Sequence, residues 1–433
     1  MSNLTRKKYL LMALFFLLSP PAFAASPFLQ QLLDDADQKN PLLIVAQEQI
    51  SVAESKIDQV TSLNDPVLSI SFLNYPSDQI KSDITPMTGN EVRLSQLVPF
   101  PGKLDAKGKA AAHRSRWFDL VYQDTRLQVR QKVKDAWFRF LFLRQAIELT
   151  NRNLKLMNDF IKLTETRYEV GLGLQQNVLK AHLQRSKQLD KLIGLQLKEE
   201  VTSAELNSLA GRSTSQSLDV DETLSEISLQ FSLHDLQHQA EQSRPMFAAF
   251  DALTQQYRAE KELAKLNYRP DFTVWAGYRW RDDELDDGGT DFVSAGVSFN
   301  LPVRRARRSA AVAEADSSLR VVYQKRSDFL NNVVLEIHRS LANLEQVSRQ
   351  VELYKNGIIP QANQTFQATL SAYQVDKVDF LDLLDSLMTL YRYEIDSLQA
   401  ISGQHRSLAR VEAASGLDAD QLITQSGKHE GTP

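Results

Sequence analysis

From Val129 onward, apolar residues recur in alternating steps of four and three: Val133, Ala136, Phe140, Leu143, Ile147, Thr150, Leu154, Met157, Ile161, Thr164 and Tyr168. Only the two threonines interrupt the stripe. A period of 3.5 residues is that of a coiled-coil seam, which keeps one stripe facing a partner along the whole length of a helix. The helical pattern reaches back to about Leu104, and roughly 65 residues at 1.5 Å each span about 100 Å. No compact domain accommodates such a rod, so the chain must build something elongated and mostly α. The scarcity of glycine, 16 in 433 residues, agrees with that.

A second, shorter seam runs through Leu330, Val334, Ile337, Leu341, Leu344, Ser348 and Val351, ahead of Pro360, where a kink is expected. Each seam ends in a reversal. "RYEVGLGLQQNVLKA" carries Gly171 and Gly173 before a returning helix expected over 175–210, and "AYQVDKVDFLDLLDS" introduces a return to about Ala413.

These parallels extend over most of the sequence. Pro41 is answered by Pro245 and Pro66 by Pro270, each 204 residues on; Pro99 meets Pro302 after 203, and Tyr168 and Val170 meet Tyr373 and Val375 after 205. The period is too long for a solenoid, so the expected organisation is two structural repeats, 25–230 and 231–415, with a flexible tail at 416–433. Each repeat opens with a helix (about 28–63 and 234–268) interrupted near its start by the proline.

Two strand candidates then follow in each half, 66–75 with 90–100, and 271–280 with 290–302. Leu68, Ile70 and Phe72 oppose Ser69 and Ser71; Val92 and Leu94 oppose Arg93 and Ser95; Val293, Ala295, Val297 and Phe299 oppose Ser294, Gly296 and Ser298. About ten residues is the length of a tilted membrane strand, and Tyr75, Phe100, Trp280, Phe292 and Phe299 sit near strand ends, as interfacial aromatics do. Four strands cannot close a barrel when the smallest bacterial ones have about eight. An open sheet in lipid would leave bare edges, so several copies must associate.

The N-terminus has the form of a secretory signal: Arg6, Lys7 and Lys8, an apolar "YLLMALFFLL", and Ala22-Phe23-Ala24 for cleavage. The apolar run is too short to cross a bilayer. Residues 1–24 carry those three cations and no acid, so cleavage takes the formal net charge from −4 to −7. An acidic exported chain is a poor partner for nucleic acid. Without cysteine it has no thiolate metal site and no acceptor for an N-terminal lipid.

The duplicated layout, "QLVPFPGKL" between strand and helix, "RYEVGLG" and "IIPQANQTFQATLSAYQVDKVDFLDLLDS" together resemble the TolC family, the outer-membrane factors of Gram-negative efflux and secretion systems. The resemblance covers nearly all of the mature chain, and "PFPGK" looks most like the heavy-metal-exporting branch. It implies a homotrimer giving four strands per protomer to one twelve-stranded β-barrel in the outer membrane. The hairpins would continue it as a periplasmic α-helical barrel that meets an adaptor (membrane fusion) protein and an inner-membrane pump of the RND type. The lack of a lipidated cysteine departs from many relatives, as does Asp376-Lys377 where the second tip commonly has glycine.

Such a protein needs no cofactor and no catalytic residue; its working parts are surfaces and constrictions. Candidates for adaptor contact are Arg167, Tyr168, Val170, Gly171 and Leu172 at the first tip, with Tyr373, Val375 and Val378 at the second. Asp376, Asp379, Asp382 and Asp385 descend from the second tip at spacing three, and in a trimer would repeat as acidic rings at the periplasmic aperture, favouring cations and gating the pore. A solvated helix face is the alternative for the lower two. In "RLSQLVPFPGKLDAKGKAA", Pro99 and Pro101 stop the strand ladder and Gly102 lets the chain swing into the helix opened by Lys103, Lys107 and Lys109. Its counterpart "GVSFNLPVRRARRSAA" has Pro302 alone, so the two barrel-junction hinges are expected to turn differently.

The acidic "RDDELDDGG" lacks the glycine and terminal glutamate of an EF-hand loop and is expected to face outside. His234 and His238 at i, i+4 have no third ligand in their stretch, which favours a surface helix over a metal site. No nucleophile elbow, zinc-protease motif, P-loop or dinucleotide fingerprint is present. The alternatives to a channel are a periplasmic coiled-coil adaptor, which would have one hairpin between small β-domains, and a periplasmic enzyme, which would need a reactive constellation.

Overall fold

The computed structural model describes residues 26–418 apart from 228 and 230, together with 421 and 422. The secretory signal expected over 1–24 lies outside the described residues.

Two short helices open the chain. Ser26 caps α1 (Pro27–Lys39) by accepting the Leu29 N–H, and Asn40 caps α2 (Pro41–Thr61) through the Leu42 N–H, with proline at the first helical position of each. Pro41 therefore ends one helix and starts another. The strands β1 (Val67–Leu73) and β2 (Gly89–Val98) lead into α3 (Lys103–Glu169), 67 residues long, and α4 (Gln175–Leu209) returns. After an irregular crossing the order is repeated: α5 (Leu233–Ser243), α6 (Pro245–Leu266), β3 (Phe272–Trp280), β4 (Phe292–Phe299), α7 (Arg305–Leu353), α8 (Ile359–Gln374) and α9 (Phe380–Ser415).

All four strands form one antiparallel sheet in the order β1-β2-β3-β4, the two hairpins being joined by the β2–β3 pairing that sets Val92 opposite Tyr278. One face is apolar and open: Leu68, Ile70, Phe72, Leu94, Val274, Val293 and Val297 are all exposed. The other face carries Ser69, Ser71, Glu91, Arg93, Ser95, Arg279 and Ser294. Beyond the strands, Arg281 ties the two connecting loops together. Its guanidinium donates to Asp287 at 2.7 Å and to the carbonyls of Thr290 and Pro86, while Ser82 donates to Asp282 at 2.5 Å.

The seam of α3 is buried at Val129, Val133, Ala136, Phe140, Leu143, Thr150, Leu154, Met157, Ile161 and Thr164. Both threonines satisfy their hydroxyls locally. Thr150 donates to the Ala146 carbonyl at 2.6 Å and its oxygen lies 2.8 Å from the Tyr391 hydroxyl; Thr164 donates to the Ile161 carbonyl. At mid-length, α1 packs against this helix through Leu29, Leu32 and Leu33, which meet Trp137 and Leu206. The second half has the corresponding cluster of Leu236 and Phe247 with Ile337, Leu408 and Val411. Leu417 and Leu422 are buried in that second cluster, so the tail expected to be loose from 416 is anchored at its start.

The expected kink at Pro360 is not a break. Residues Tyr354–Ile358 form a π-turn through which α7 runs into α8 with helical backbone angles at both joins. Proline in a regular helix clashes with the carbonyl four residues back and removes one hydrogen bond. A wider turn ahead of Pro360 absorbs both penalties.

Candidate functional site

The two hairpin tips close with one hydrogen-bond pattern built from different residues. At the first, Leu172 N–H donates to the Arg167 carbonyl at 2.8 Å and Gly171 N–H to Tyr168 at 3.0 Å; at the second, Lys377 N–H donates to Ala372 at 2.9 Å and Asp376 N–H to Tyr373 at 3.2 Å. Both are Schellman closures, which put the residue after the cap in the left-handed region. Gly171 takes φ +74° and Asp376 φ +58°. Asp376 thus supplies without glycine the conformation that Gly171 supplies 205 residues earlier, and aspartate is among the few residues that tolerate it. Gly173 has no such angle, but a Cβ there would stand 3.1 Å from the backbone of Arg167.

Arg167 clasps the tips to each other. Its Nη2 lies 2.5 Å from Asp376 Oδ1, its Nη1 donates to the Tyr373 carbonyl at 3.3 Å, and its guanidinium sits 4.6 Å from the centre of the Tyr373 ring. The Tyr373 contact, helped by Asp376, holds the Arg167 guanidinium above its ordinary pKa against the opposing effect of burial. The charge of Asp376 is compensated within the protomer.

Tyr168, Val170, Leu172 and Val375 are exposed at the tips, Leu172 at 70%. Tyr373 corrects the expectation of adaptor contact, and Val378 is half-buried. Tyr373 is 5% exposed, packed 5.9 Å from the Phe380 ring, and Val378 lies against the same core of Met157, Phe160, Phe366 and Leu383. Leu174, which sequence reasoning missed, is 65% exposed and occupies the N-cap of α4 with no side-chain cap. The signal was available: a leucine where Ser, Thr, Asn or Asp is preferred has a reason other than capping. Asp379 stands at the N-cap of α9, and Asp382 and Asp385 follow on its exposed face. Among the described residues, no group of three or more His, Cys, Asp or Glu is placed to hold a metal ion, His234 and His238 included.

The hinges differ as expected. After Pro99 and Pro101, Gly102 turns at φ +90° and the Lys103 N–H donates to the Phe100 carbonyl. The second hinge has no such residue. Pro302 is the central residue of the first of two successive tight turns, Val303 N–H to Leu301 and Arg305 N–H to Val303, both 2.9 Å.

Lys103, the first residue of α3, is buried at the hinge. Its side chain is 6% exposed and its Nζ lies 2.8 Å from Asp271 Oδ1 and 3.0 Å from the Arg269 carbonyl. Asp271 also accepts the Phe100 N–H, while its own N–H donates to Asn300. Asp271 therefore joins both hinges to the start of β3, the first through its carboxylate and the second through its backbone. Burial pushes that carboxyl up, but the bonds from Lys103 and Phe100 outweigh it and leave it below its ordinary value.

A membrane-sized sheet with one greasy and one polar face, continued by helical hairpins about 100 Å long, is the architecture of outer-membrane efflux channels. Residues 32–212 match the family described as Outer membrane efflux protein. That match covers the first hairpin and first strand pair of the chain. It is 21% identical over 401 residues to the cobalt-zinc-cadmium resistance protein CzcC of Cupriavidus metallidurans, covering 92% of each chain. Its fold matches the outer membrane protein VceC of Vibrio cholerae with a TM-score of 0.75 at 20% identity, over 90% of this chain and 96% of that one. It also matches CusC, a protein that forms a transmembrane channel, with a TM-score of 0.75 at 14% identity over 90% and 92%.

Proposed function

We propose that the chain is one protomer of a homotrimeric outer-membrane channel that passively conducts substrate handed to it by a periplasmic adaptor and an inner-membrane pump of the RND type. The carrying observation is the open four-stranded sheet. It is apolar on one face and polar on the other, and among the described residues β1 and β4 each pair on one side only. Unpaired strand edges are intolerable in lipid. Three copies close one twelve-stranded barrel, pointing the apolar face at lipid and the polar face at a lumen. The helical hairpins then stand in the periplasm and bring the tips to the adaptor, with no lipid anchor on the chain. Two halves of like element order suit a duplicated unit whose strand pairs and hairpins alternate around that ring.

The cargo is a metal cation or a small toxic compound, with the metal reading supported by "PFPGK" and by the resistance named for the Cupriavidus relative. Metal and drug sensitivity of a deletion strain, measured side by side, decides between them. An outer-membrane fraction holding a heat-sensitive trimer supports the channel; a soluble monomer would favour an adaptor or an enzyme instead.

At the aperture, Asp376, Asp379 and Asp382 are the proposed acidic rings, with Asp376 tempered by Arg167. Asp379→Asn should therefore lower cation selectivity in single-channel recording more than Asp376→Asn does. Unchanged selectivity in Asp379→Asn would assign the acidic face to solvation alone.

A further inference from the structure

The polar face of the sheet is built around charge. The register places Ser69, Arg93, Gly277 and Ser294 in one row across the four strands and Ser71, Glu91, Arg279 and Phe292 in a neighbouring row. Glycines clear the space these side chains fill. A Cβ on Gly89 would stand 2.6 Å from Arg279 Nε, and one on Gly296 would stand 2.8 Å from the Trp275 ring.

Within this setting the two arginines are treated differently. Arg93 Nη2 lies 2.7 Å from Glu91 Oε1, and its guanidinium sits 4.2 Å from the centre of the Trp275 ring. Glu91 is itself buried and committed to that pair. Arg279 lies in register opposite Glu91, yet among the described residues it has no carboxylate partner. Its Nε and Nη2 are shielded from solvent and have no hydrogen-bond partner. A shielded guanidinium with idle donors is costly, and the group that best satisfies it is an anion presenting two oxygens to the planar fork.

We propose that Arg279, backed by Arg93, Glu91, Trp275 and the cleft at Gly89, forms an anion-binding girdle on the lumen wall of the β-barrel. It takes small inorganic anions or carboxylate-bearing solutes. The inference rests on the channel reading above, in which three copies face one lumen. One acid and two cations per protomer then give three uncompensated guanidinium groups at one level, and a ring of one sign selects ions of the other. The barrel and the periplasmic aperture thus carry girdles of opposite sign.

The test is single-channel recording of the purified full chain in a planar bilayer under a potassium chloride gradient. Arg279→Gln should shift the reversal potential toward cation preference and Glu91→Gln should shift it the other way. Arg279→Lys, which keeps the charge, should stay with the wild type. Inorganic phosphate should reduce wild-type conductance and leave Arg279→Gln unaffected. A conducting Arg279→Gln channel with wild-type reversal potential and phosphate response would overturn the girdle while leaving the channel intact. If that variant yields no channels, opposite outcomes for Glu91→Gln and Arg279→Lys decide the matter. Absence of channel steps in the wild type would overturn the channel reading, and the girdle would fall with it.

Discussion

Export through a Leu172→Glu variant should fall to the level of a deletion strain, while the protein still reaches the outer membrane as a trimer in normal amounts. Leu172 contributes only its backbone N–H to the tip closure, a bond that any residue other than proline makes. Its side chain is exposed, so the change should alter protomer stability by no more than about 0.5 kcal/mol. The effect falls on the contact. With Val170, Leu174 and Val375 it offers an exposed apolar surface at the end of the hairpins, where burial of an unpaired carboxylate costs several kcal/mol. Each 1.4 kcal/mol lost is about tenfold in affinity. Leu172→Met, of similar volume and polarity, should export normally. The measurement is survival of the complemented strain on inhibitory substrate, with trimer quantified in the outer-membrane fraction. Wild-type survival with Leu172→Glu would remove the tip from the docking surface.

The second large effect concerns stability. Lys134 on α3 and Glu412 on α9 form an ion pair in the interior, with side chains 17% and 10% exposed. Burial pushes the Glu412 carboxyl above the ordinary glutamate range even though Lys134 pulls it down. Lys134→Met should therefore cost about 3–5 kcal/mol, because it strands a carboxylate rather than deleting a contact. The sign of the pH dependence follows. A carboxyl whose folded pKa is raised binds its proton more tightly folded than unfolded, so its contribution worsens as pH rises from the unfolded value through the folded one. The variant should lose most stability above the raised pKa of the folded state and recover part of it as pH falls through that window. Lys134→Met combined with Glu412→Gln should restore much of the loss. Urea unfolding at several pH values checks this; a pH-independent loss would mean that Lys134 acts through packing of its stem.

What could be read in the sequence was periodic. The seam of α3 is buried nearly residue for residue, because a 3.5-residue stripe states directly which side of a helix is covered. The strands followed from alternation, though their ends shifted by up to three residues where turns take over, as at Leu301 and Pro302. What escaped depends on partners distant in sequence. Lys134 and Glu412 are 278 positions apart, and nothing local marks either as buried. Lys103 sits in the first turn of a charged helix and reads as solvated until Asp271 is placed beside it. At the tips, sequence found the reversal but credited Tyr373 with a surface it does not reach, since an aromatic beside a turn looks alike whether it points in or out. Asp376 reads in the sequence as a missing glycine; that it adopts the glycine conformation and holds Arg167 depends on how the two tips meet.

The π-turn at Tyr354–Ile358 carries one residue more per turn than the helices on either side. Each residue of an α-helix advances the side-chain direction by about 100°, so this insertion resets the azimuth of everything beyond it. Ile337, Leu344 and Val351 are buried before the turn, and Ala362, Phe366 and Tyr373 are buried in the tip core beyond it. Loss of a single residue such as Gly357 would relax the turn to a regular helix and rotate the distal segment by about 100° relative to the stripe below it. The π-turn works as a phase adjuster. It joins the stretch of rod that packs in the cluster around Ile337 to the stretch that packs in the tip cluster around Phe366.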